Sequence, residues 1–373
     1  MSKKIVFTVT NDLVYDQRMQ KISRSMVGAG YTVQLIGRQR KASPPLSNEP
    51  YQQTRLTCFF NKGKLFYLEY NLRLFIYLLF TKFDAACAID LDTIIPIYYA
   101  GKIKGAKLAY DAHEYFTEVP EVIRRPSVQK VWKWVERTYV PKFNLIYTVS
   151  PTLATMFAAQ YHKPVEVIMN VPVNGIQMTD NGTQTLVSRP SSLAPYLLYQ
   201  GALNEGRGLE HLIEAMQQIN CKLLLAGEGD LSAQLRAQVK QLKLEDKVEF
   251  LGYIKPEHLK QITAQAYIGI NLLENKGLSY YYSLSNKFFD YIHASVPQVC
   301  IGFPEYKTLN DTYNVAVLTQ SCAVNEIKQA VERLLTDNDL YLSLQKNCEV
   351  CSRKLNWQVE EKKLIRLYGQ LFG

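Results

Sequence analysis

Apolar positions along the chain fall into short dense runs separated by stretches with helical spacing. In the first half the dense runs predict strands at Ile5–Val9, Thr32–Ile36, Arg55–Phe59, Ala85–Ile89, Lys107–Tyr110, Leu145–Val149 and Val165–Met169. Helices are expected between most of them, for example over Gln17–Ala29 and Pro151–Tyr161. Several strand runs are almost continuously apolar, the signature of a parallel sheet covered on both faces. Residues 170–195, NVPVNGIQMTDNGTQTLVSRPSSLAP, are rich in Pro, Gly, Asn, Ser and Thr and read as an interdomain connection. A second alternation follows, with strands at Tyr196–Tyr199, Lys222–Ala226, Val248–Leu251, Ile268–Leu272, Gln298–Ile301 and Val315–Leu318. Its helices are expected near Leu209–Gln218, Leu231–Leu242, Pro256–Thr263, Asn286–Ala294 and Ala323–Leu335. The pattern predicts an α/β chain of two doubly wound, Rossmann-like domains, 1–170 and 171–355. A ligand cleft is expected between them at the carboxyl ends of the strands.

One helical stretch is unusually apolar. Leu65–Phe80, LFYLEYNLRLFIYLLF, carries only Glu69 and Arg73 as charges, spaced as a helical ion pair. It reads either as a core helix covering the first sheet or as an interfacial helix flanked by Lys62, Lys64 and Lys82. No uncharged apolar run reaches the roughly 18 residues of a spanning helix. The start, MSKKIVFTVTND, lacks the apolar core of a signal peptide. A cytoplasmic protein is expected, with contact at the inner face of the plasma membrane as an option. Seven scattered cysteines argue for a reducing compartment, and Cys348-x-x-Cys351 lacks the further ligands of a zinc site.

Charge is unevenly placed. Residues 1–170 hold 23 Lys and Arg against 13 Asp and Glu, whereas residues 171–373 hold 20 against 21. The whole excess of +9 therefore comes from the first half. Such a field suits an anionic membrane surface or a phosphorylated substrate. No nucleic-acid-binding motif accompanies it, and nucleic acid is not an expected partner.

Candidate chemistry concentrates in the second half. In SLSNKFFDYIHASVP, Ser285 and Asn286 stand before an apolar-periodic run, with Lys287 and Asp290 in its first turns. This is a helix start, with a Ser or Asn cap and backbone N–H groups suited to a phosphate. Lys287 adds a point charge, and Asp290 is placed to accept from a sugar hydroxyl. The turn YQGALNEGRGL joins the first strand of this half to its first helix. Gly201, Gly206 and Gly208 permit close approach there, and Arg207 offers a bidentate grip on a diphosphate. In the first half, Asn11, Asp12, Asp16 and Arg18 follow the first strand, at the expected cleft. Acceptor binding is one reading of them, and helix capping by Asp16 is the plain structural alternative. Asp90-Leu91-Asp92 forms a DxD, read as a strand-end or acceptor-side feature in preference to a metal site.

The ordered set GALNEGRGLEHLIEA, LLLAGEGD, VEFLGYIKPEHL and SLSNKFFDYIHASVPQV resembles retaining nucleotide-sugar glycosyltransferases of family 4, which have the GT-B fold. TNDLVYDQRMQKISRSMVGAGYTVQLIGR, DAHEYFTEVPE and YTVSPTLA are similar to bacterial cell-surface polysaccharide members. The resemblance implies a donor domain in the second half and an acceptor domain in the first. A C-terminal helix at about 356–373 would cross back onto the first domain. Arg207 and Lys287 would neutralise the diphosphate and Asp290 would hold the ribose. Gly252, Tyr253 and Ile254 would line the base, and Gly201 and Ser285 would complete the donor site. His113, beside Glu114 in DAHE, would orient the donor sugar without acting as a nucleophile. The implied substrates are a UDP- or GDP-sugar and a lipid-linked or oligosaccharide acceptor, with no cofactor and no metal.

The chain departs from the family pattern at four places, the first being Asn11–Arg18, NDLVYDQR, where the family has a glycine-rich first loop. Tyr282 occupies the position of a sugar-contacting Glu, Asp290 replaces a Glu, and Ala202 replaces an Arg. These departures keep two alternatives in view: a catalytically inactive nucleotide- or membrane-binding partner of a glycan-assembly complex, or a nucleotide-sugar epimerase on the same fold.

Overall fold

The computed structural model describes residues 2–174 and 195–373. Most of the expected 170–195 connection lies outside the described residues. The chain divides into two compact units, residues 1–170 with 360–373 and residues 171–359.

The first unit contains β1 (Lys4–Thr8), β2 (Thr32–Gln39), β3 (Gln52–Thr57), β4 (Ala85–Ile89), β5 (Lys107–Ala112), β6 (Leu145–Thr148) and β7 (Glu166–Val167). Its helices are α1 (Gln17–Gly28), α2 (Gly63–Phe80), α3 (Ile94–Lys104), α4 (Pro120–Ile123), α5 (Pro126–Tyr139) and α6 (Pro151–Tyr161). The strands pair in parallel in the order β3-β2-β1-β4-β5-β6-β7. Apolar runs produce this sheet because both faces are covered: every residue of β4 is buried. Helix α1 begins where Asp16 accepts from the Met19 N–H at 3.0 Å, satisfying an orphan donor of the first turn.

Helix α2 resolves both readings of its sequence. Phe66, Tyr70, Leu74 and Leu78 face the core at the helical period, while Leu65, Leu68, Leu72 and Ile76 are exposed. The Glu69–Arg73 pair forms at 2.8 Å.

The second unit contains β8 (Tyr196–Gln200), β9 (Lys222–Ala226), β10 (Val248–Gly252), β11 (Ile268–Asn271), β12 (Gln298–Ile301) and β13 (Ala316–Thr319). Its helices are α7 (Leu209–Ala215), α8 (Ser232–Gln241), α9 (Pro256–Gln265), α10 (Leu278–Tyr281), α11 (Asn286–His293), α12 (Pro304–Tyr313), α13 (Val324–Thr336) and α14 (Asn338–Lys354). The sheet order is β10-β9-β8-β11-β12-β13, again parallel throughout. Leu197, Leu212, Leu223, Ile268 and Val299 anchor its core. Cys348 and Cys351 are buried on α14, and burial pushes both thiols up, Cys351 to about 12.

Helix α15 (Trp357–Phe372) closes the chain. Its Glu360 accepts from the Met169 N–H at 3.0 Å. Its Tyr368 lies with its ring 6.0 Å from that of Phe7 and its hydroxyl 3.4 Å from that of Tyr147. The end of the chain thus helps build the core of the first unit. Both units are doubly wound, and in each the strand order reverses beside the first strand. In such sheets ligands bind outside the carboxyl ends at that reversal.

Candidate functional site

In the second unit the reversal lies between β8 and β11. Strand β8 ends in Gln200 and Gly201, the latter at φ +128. A Cβ on Gly201 would stand 3.6 Å from the Lys287 ammonium, and one on Gly227 would overlap the Gly201 carbonyl. The positive φ of Gly201 and the close passage of Gly227 against the Gly201 carbonyl explain why glycine occupies both positions.

Lys287 lies in the first turn of α11 and is only 8% exposed. Its Nζ stands 3.7 Å from the centroid of the Tyr199 ring. Burial drives its pKa well below the ordinary lysine value, and the nearby Arg207 charge adds to that. Arg207, on the turn between β8 and α7, stacks 4.8 Å above the Tyr280 ring. The Glu274 N–H donates to the Gly206 carbonyl at 2.9 Å and ties this turn to the segment after β11. Neither cation forms a salt bridge with a carboxylate among the described residues. Two cations set against aromatic faces, with the Arg207 charge near enough to lower Lys287, make a site suited to an anion.

Asp290 lies one turn beyond Lys287. The Gln200 side-chain amide donates to it at 2.9 Å, and the Thr263 hydroxyl donates to the Gln200 carbonyl oxygen at 2.7 Å. This buried chain sets both the Gln200 amide and the Asp290 carboxylate. Ser285 stands at the cap position of α11 without capping it by its side chain. Its hydroxyl donates to Asn271 at 2.9 Å instead, and its N–H donates to the Tyr306 hydroxyl. The expected Ser cap is corrected accordingly, whereas Asn286 is the first, exposed residue of the helix.

Gly252, Tyr253 and Ile254 follow β10 at the edge of the same sheet. Tyr253 is 65% exposed, and a Cβ on Gly252 would lie 3.6 Å from the Glu228 carboxylate. They share the carboxyl edge with the cation pair but stand two strands away from it. Glu274 is engaged with Lys276 at 3.0 Å. Tyr282 packs edge-on against Tyr281.

The first unit gathers a different set at its own reversal. Arg18 is buried and donates twice to Asp111, at 2.9 and 3.2 Å, and once to the Ile168 carbonyl at 3.0 Å. His113 meets the same Asp111 carboxylate at 3.1 Å, and its N–H donates to Asp90 at 2.9 Å. Burial alone would lower the His113 pKa, but the charge and hydrogen bond of Asp111, with Asp90, outweigh it and hold the imidazole up to about 9. Burial raises Asp92 to about 6 against a hydrogen bond from Thr10, and raises Asp90 further. Asp90 also adopts φ +54, an unusual conformation for a non-glycine residue.

The other first-half candidates separate by exposure. Asp12 is buried and paired with Arg55, Arg18 is locked on Asp111, and Asp16 caps α1. These three side chains are engaged within the fold, and Asp16 takes the capping role that was its structural alternative. Asn11 and Glu114 are exposed. The spacing arguments missed Gln200, Thr263, Tyr199, Tyr280 and Asp111. A Gln closing an apolar strand, inside the quoted turn YQGALNEGRGL, was the available signal for the first.

Residues 188–350 match the family model of glycosyl transferases group 1. The matched span lies wholly within the second unit. Over the longer chain, alpha-D-kanosaminyltransferase from Streptomyces kanamyceticus is 22% identical across 67% of each protein. Another curated relative, an uncharacterised glycosyltransferase of Methanocaldococcus jannaschii, is matched over only 19% of its length, at 38% identity. Among solved structures, sucrose-phosphate synthase from Thermosynechococcus elongatus superposes with a TM-score of 0.82 over 99% of both chains at 18% identity. HepE from Anabaena, solved in complex with UDP-glucose, gives 0.75 over 99% of this chain and 100% of its own at 14% identity. These likenesses establish two Rossmann-like units of the GT-B type.

Proposed function

We propose that this chain is a retaining glycosyltransferase that takes a sugar from a UDP- or GDP-sugar and passes it to a lipid-linked or growing surface-glycan acceptor. The observation that carries the reading is the pair Arg207 and Lys287, two aromatic-backed cations without a carboxylate partner, at the strand reversal of the matched domain. Breaking the bond between sugar and diphosphate builds negative charge on the leaving phosphates. Preorganised cations in a dry site stabilise that charge without reorganising. The start of α11 adds its N–H groups and dipole. An arriving anion favours the charged form of this buried lysine and offsets the cost of its burial. Asp290, fixed by Gln200 and Thr263, suits the ribose hydroxyls, and the exposed Tyr253 turn suits the base.

With protein cations on the diphosphate, transfer is expected to persist in chelator. In the first unit we assign His113 to substrate as an orienting group. Its imidazolium is already committed to Asp111, which makes it a donor and a poor nucleophile. The presence of UDP-glucose in the HepE complex supports a nucleotide-sugar donor of this kind.

The test is thermal stabilisation by a panel of nucleoside diphosphates and their sugars, followed by transfer assays with the donor so selected. A ligand that binds only the native state must raise Tm. A base-selective shift, lost in Arg207→Ala and Lys287→Ala, is the expected result. Absence of any shift at millimolar nucleotide would overturn the reading and favour a non-catalytic partner.

A further inference from the structure

The outer surface of the first unit bears a feature that nucleotide chemistry does not use. Helix α3 packs against both α2 and α5. Tyr67 and Trp132 meet edge-on at 5.7 Å between α2 and α5, and the hydroxyls of Tyr99 and Tyr139 lie 3.2 Å apart between α3 and α5. From these adjoining helices Leu68, Leu72, Ile76, Ile103, Val131 and Trp134 project into solvent. Leu68 is 69% exposed and Trp134 59%, so these are not marginal edges of the core.

The charges among them have one sign. The three helices carry only two acids, Glu69 and Glu136. Glu69 is held by Arg73 and by the N–H groups of Phe59 and Phe60, and Glu136 is buried. Lys64, Lys82, Lys102 and Lys130, on or beside the same helices, are exposed. Lys142 lies 5.0 Å over the Tyr98 ring and 5.1 Å over that of Tyr139. Aliphatic side chains, aromatic rings and ammonium groups therefore alternate on these helices; of the acids beside them, Asp84 is paired with Lys3 and the exposed Glu121 stands on α4.

We infer that the exposed surface of α2, α3 and α5 is a docking face for an anionic lipid bilayer. Leucine and isoleucine tips enter the boundary between headgroups and acyl chains. Tyrosine and tryptophan occupy the headgroup level, and the lysines meet lipid phosphates. Among the described residues no helix is long and apolar enough to cross a membrane, so the contact is peripheral. The inference extends the lipid-linked acceptor reading but rests on the first unit alone and does not require sugar transfer.

The experiment is co-sedimentation of the full chain with phosphatidylcholine vesicles, with and without phosphatidylglycerol, at low and high salt. Wild-type protein is expected to bind the anionic vesicles, more weakly as salt rises. Leu72→Asp with Ile76→Ser should lower binding at least tenfold, and Lys102→Glu with Lys130→Glu should do the same and remove the salt dependence. All four substitutions are at exposed positions, so Tm and its shift with nucleotide should match wild type. Equal binding by all variants, or no binding to anionic vesicles, would overturn the inference. Self-association by ultracentrifugation, abolished by Leu72→Asp without any vesicle binding, would overturn it in favour of a second copy of the chain. Vesicle binding by a protein that shows no nucleotide shift would support the docking face while removing the proposed function.

Discussion

The two units fold by the same rule and end in opposite chemistry. Each sheet is parallel, and each reverses its strand order beside its first strand. At the reversal of the first unit, Asp90, Asp92 and Asp111 converge, answered by Arg18 and His113. At the reversal of the second, Arg207 and Lys287 converge, and neither forms a salt bridge with a carboxylate among the described residues. The first set is largely self-satisfied, whereas the second is complete only with an anion. A shared backbone topology therefore fixes where a site sits, while the polar residues at the strand ends decide which substrate it takes.

The largest expected effect tests the unanswered cations. Arg207→Ala or Lys287→Ala should lower transfer by about 100-fold or more, because each removes a donor to the developing phosphate charge. Steady-state rates with the selected donor give the measurement, and near-wild-type rates would break the contrast between the units. Lys287→Met sharpens it further. A lysine held below its ordinary pKa costs stability at every pH under its unfolded value, so methionine should raise Tm while erasing the nucleotide shift.

The self-satisfied set predicts the reverse. Arg18→Met leaves Asp111 buried beside His113 alone and should cost about 3–5 kcal/mol in urea unfolding. A change under about 1 kcal/mol would show that the pair behaves like a surface ion pair.

Gln200→Ala should weaken nucleotide binding by roughly tenfold, the scale of a hydrogen bond to a charged group. It acts through Asp290, so kcat at saturating donor should stay nearly unchanged, and calorimetric titration separates the two.

The smallest effect is one of pH. The folded His113 pKa is raised, so its contribution to stability is full below the unfolded value of about 6.5. That contribution is lost as pH climbs through about 9. His113→Gln should flatten the Tm profile across that window, and an unchanged profile would remove Asp111 as its partner in solution.

Much of this was legible because apolar runs and helical spacing are local signals. Strands Ala85–Ile89, Lys222–Ala226 and Gln298–Ile301 and helix Pro151–Tyr161 occur at their expected limits. The errors fall where distant groups take over the backbone. Strand β7 was expected to reach Met169 and stops at Val167, because the Met169 N–H is taken by Glu360 and the Ile168 carbonyl by Arg18. Strand β3 was expected to include Phe59 and stops at Thr57, because the N–H groups of Phe59 and Phe60 turn to Glu69. The same limit applies to the site. Arg207 stands in a turn whose glycines announce it, and Lys287 and Asp290 stand at the start of a helix announced by its apolar spacing. Gln200 and Thr263 are 63 residues apart, and their hydrogen bond follows only from the folded sheet.

The last helix gives the first unit an unusual birth order. Tyr368 and Glu360 complete a core whose strands precede them in the chain, and the whole of residues 171–359 must be synthesised in between. At ordinary elongation speeds that interval is roughly 10–40 s. Through it, the nascent first unit waits with the seat of Tyr368 uncovered. A chain truncated after residue 359 should show a protease-sensitive first unit beside a resistant second one. The first unit is thus begun before the second and finished after it.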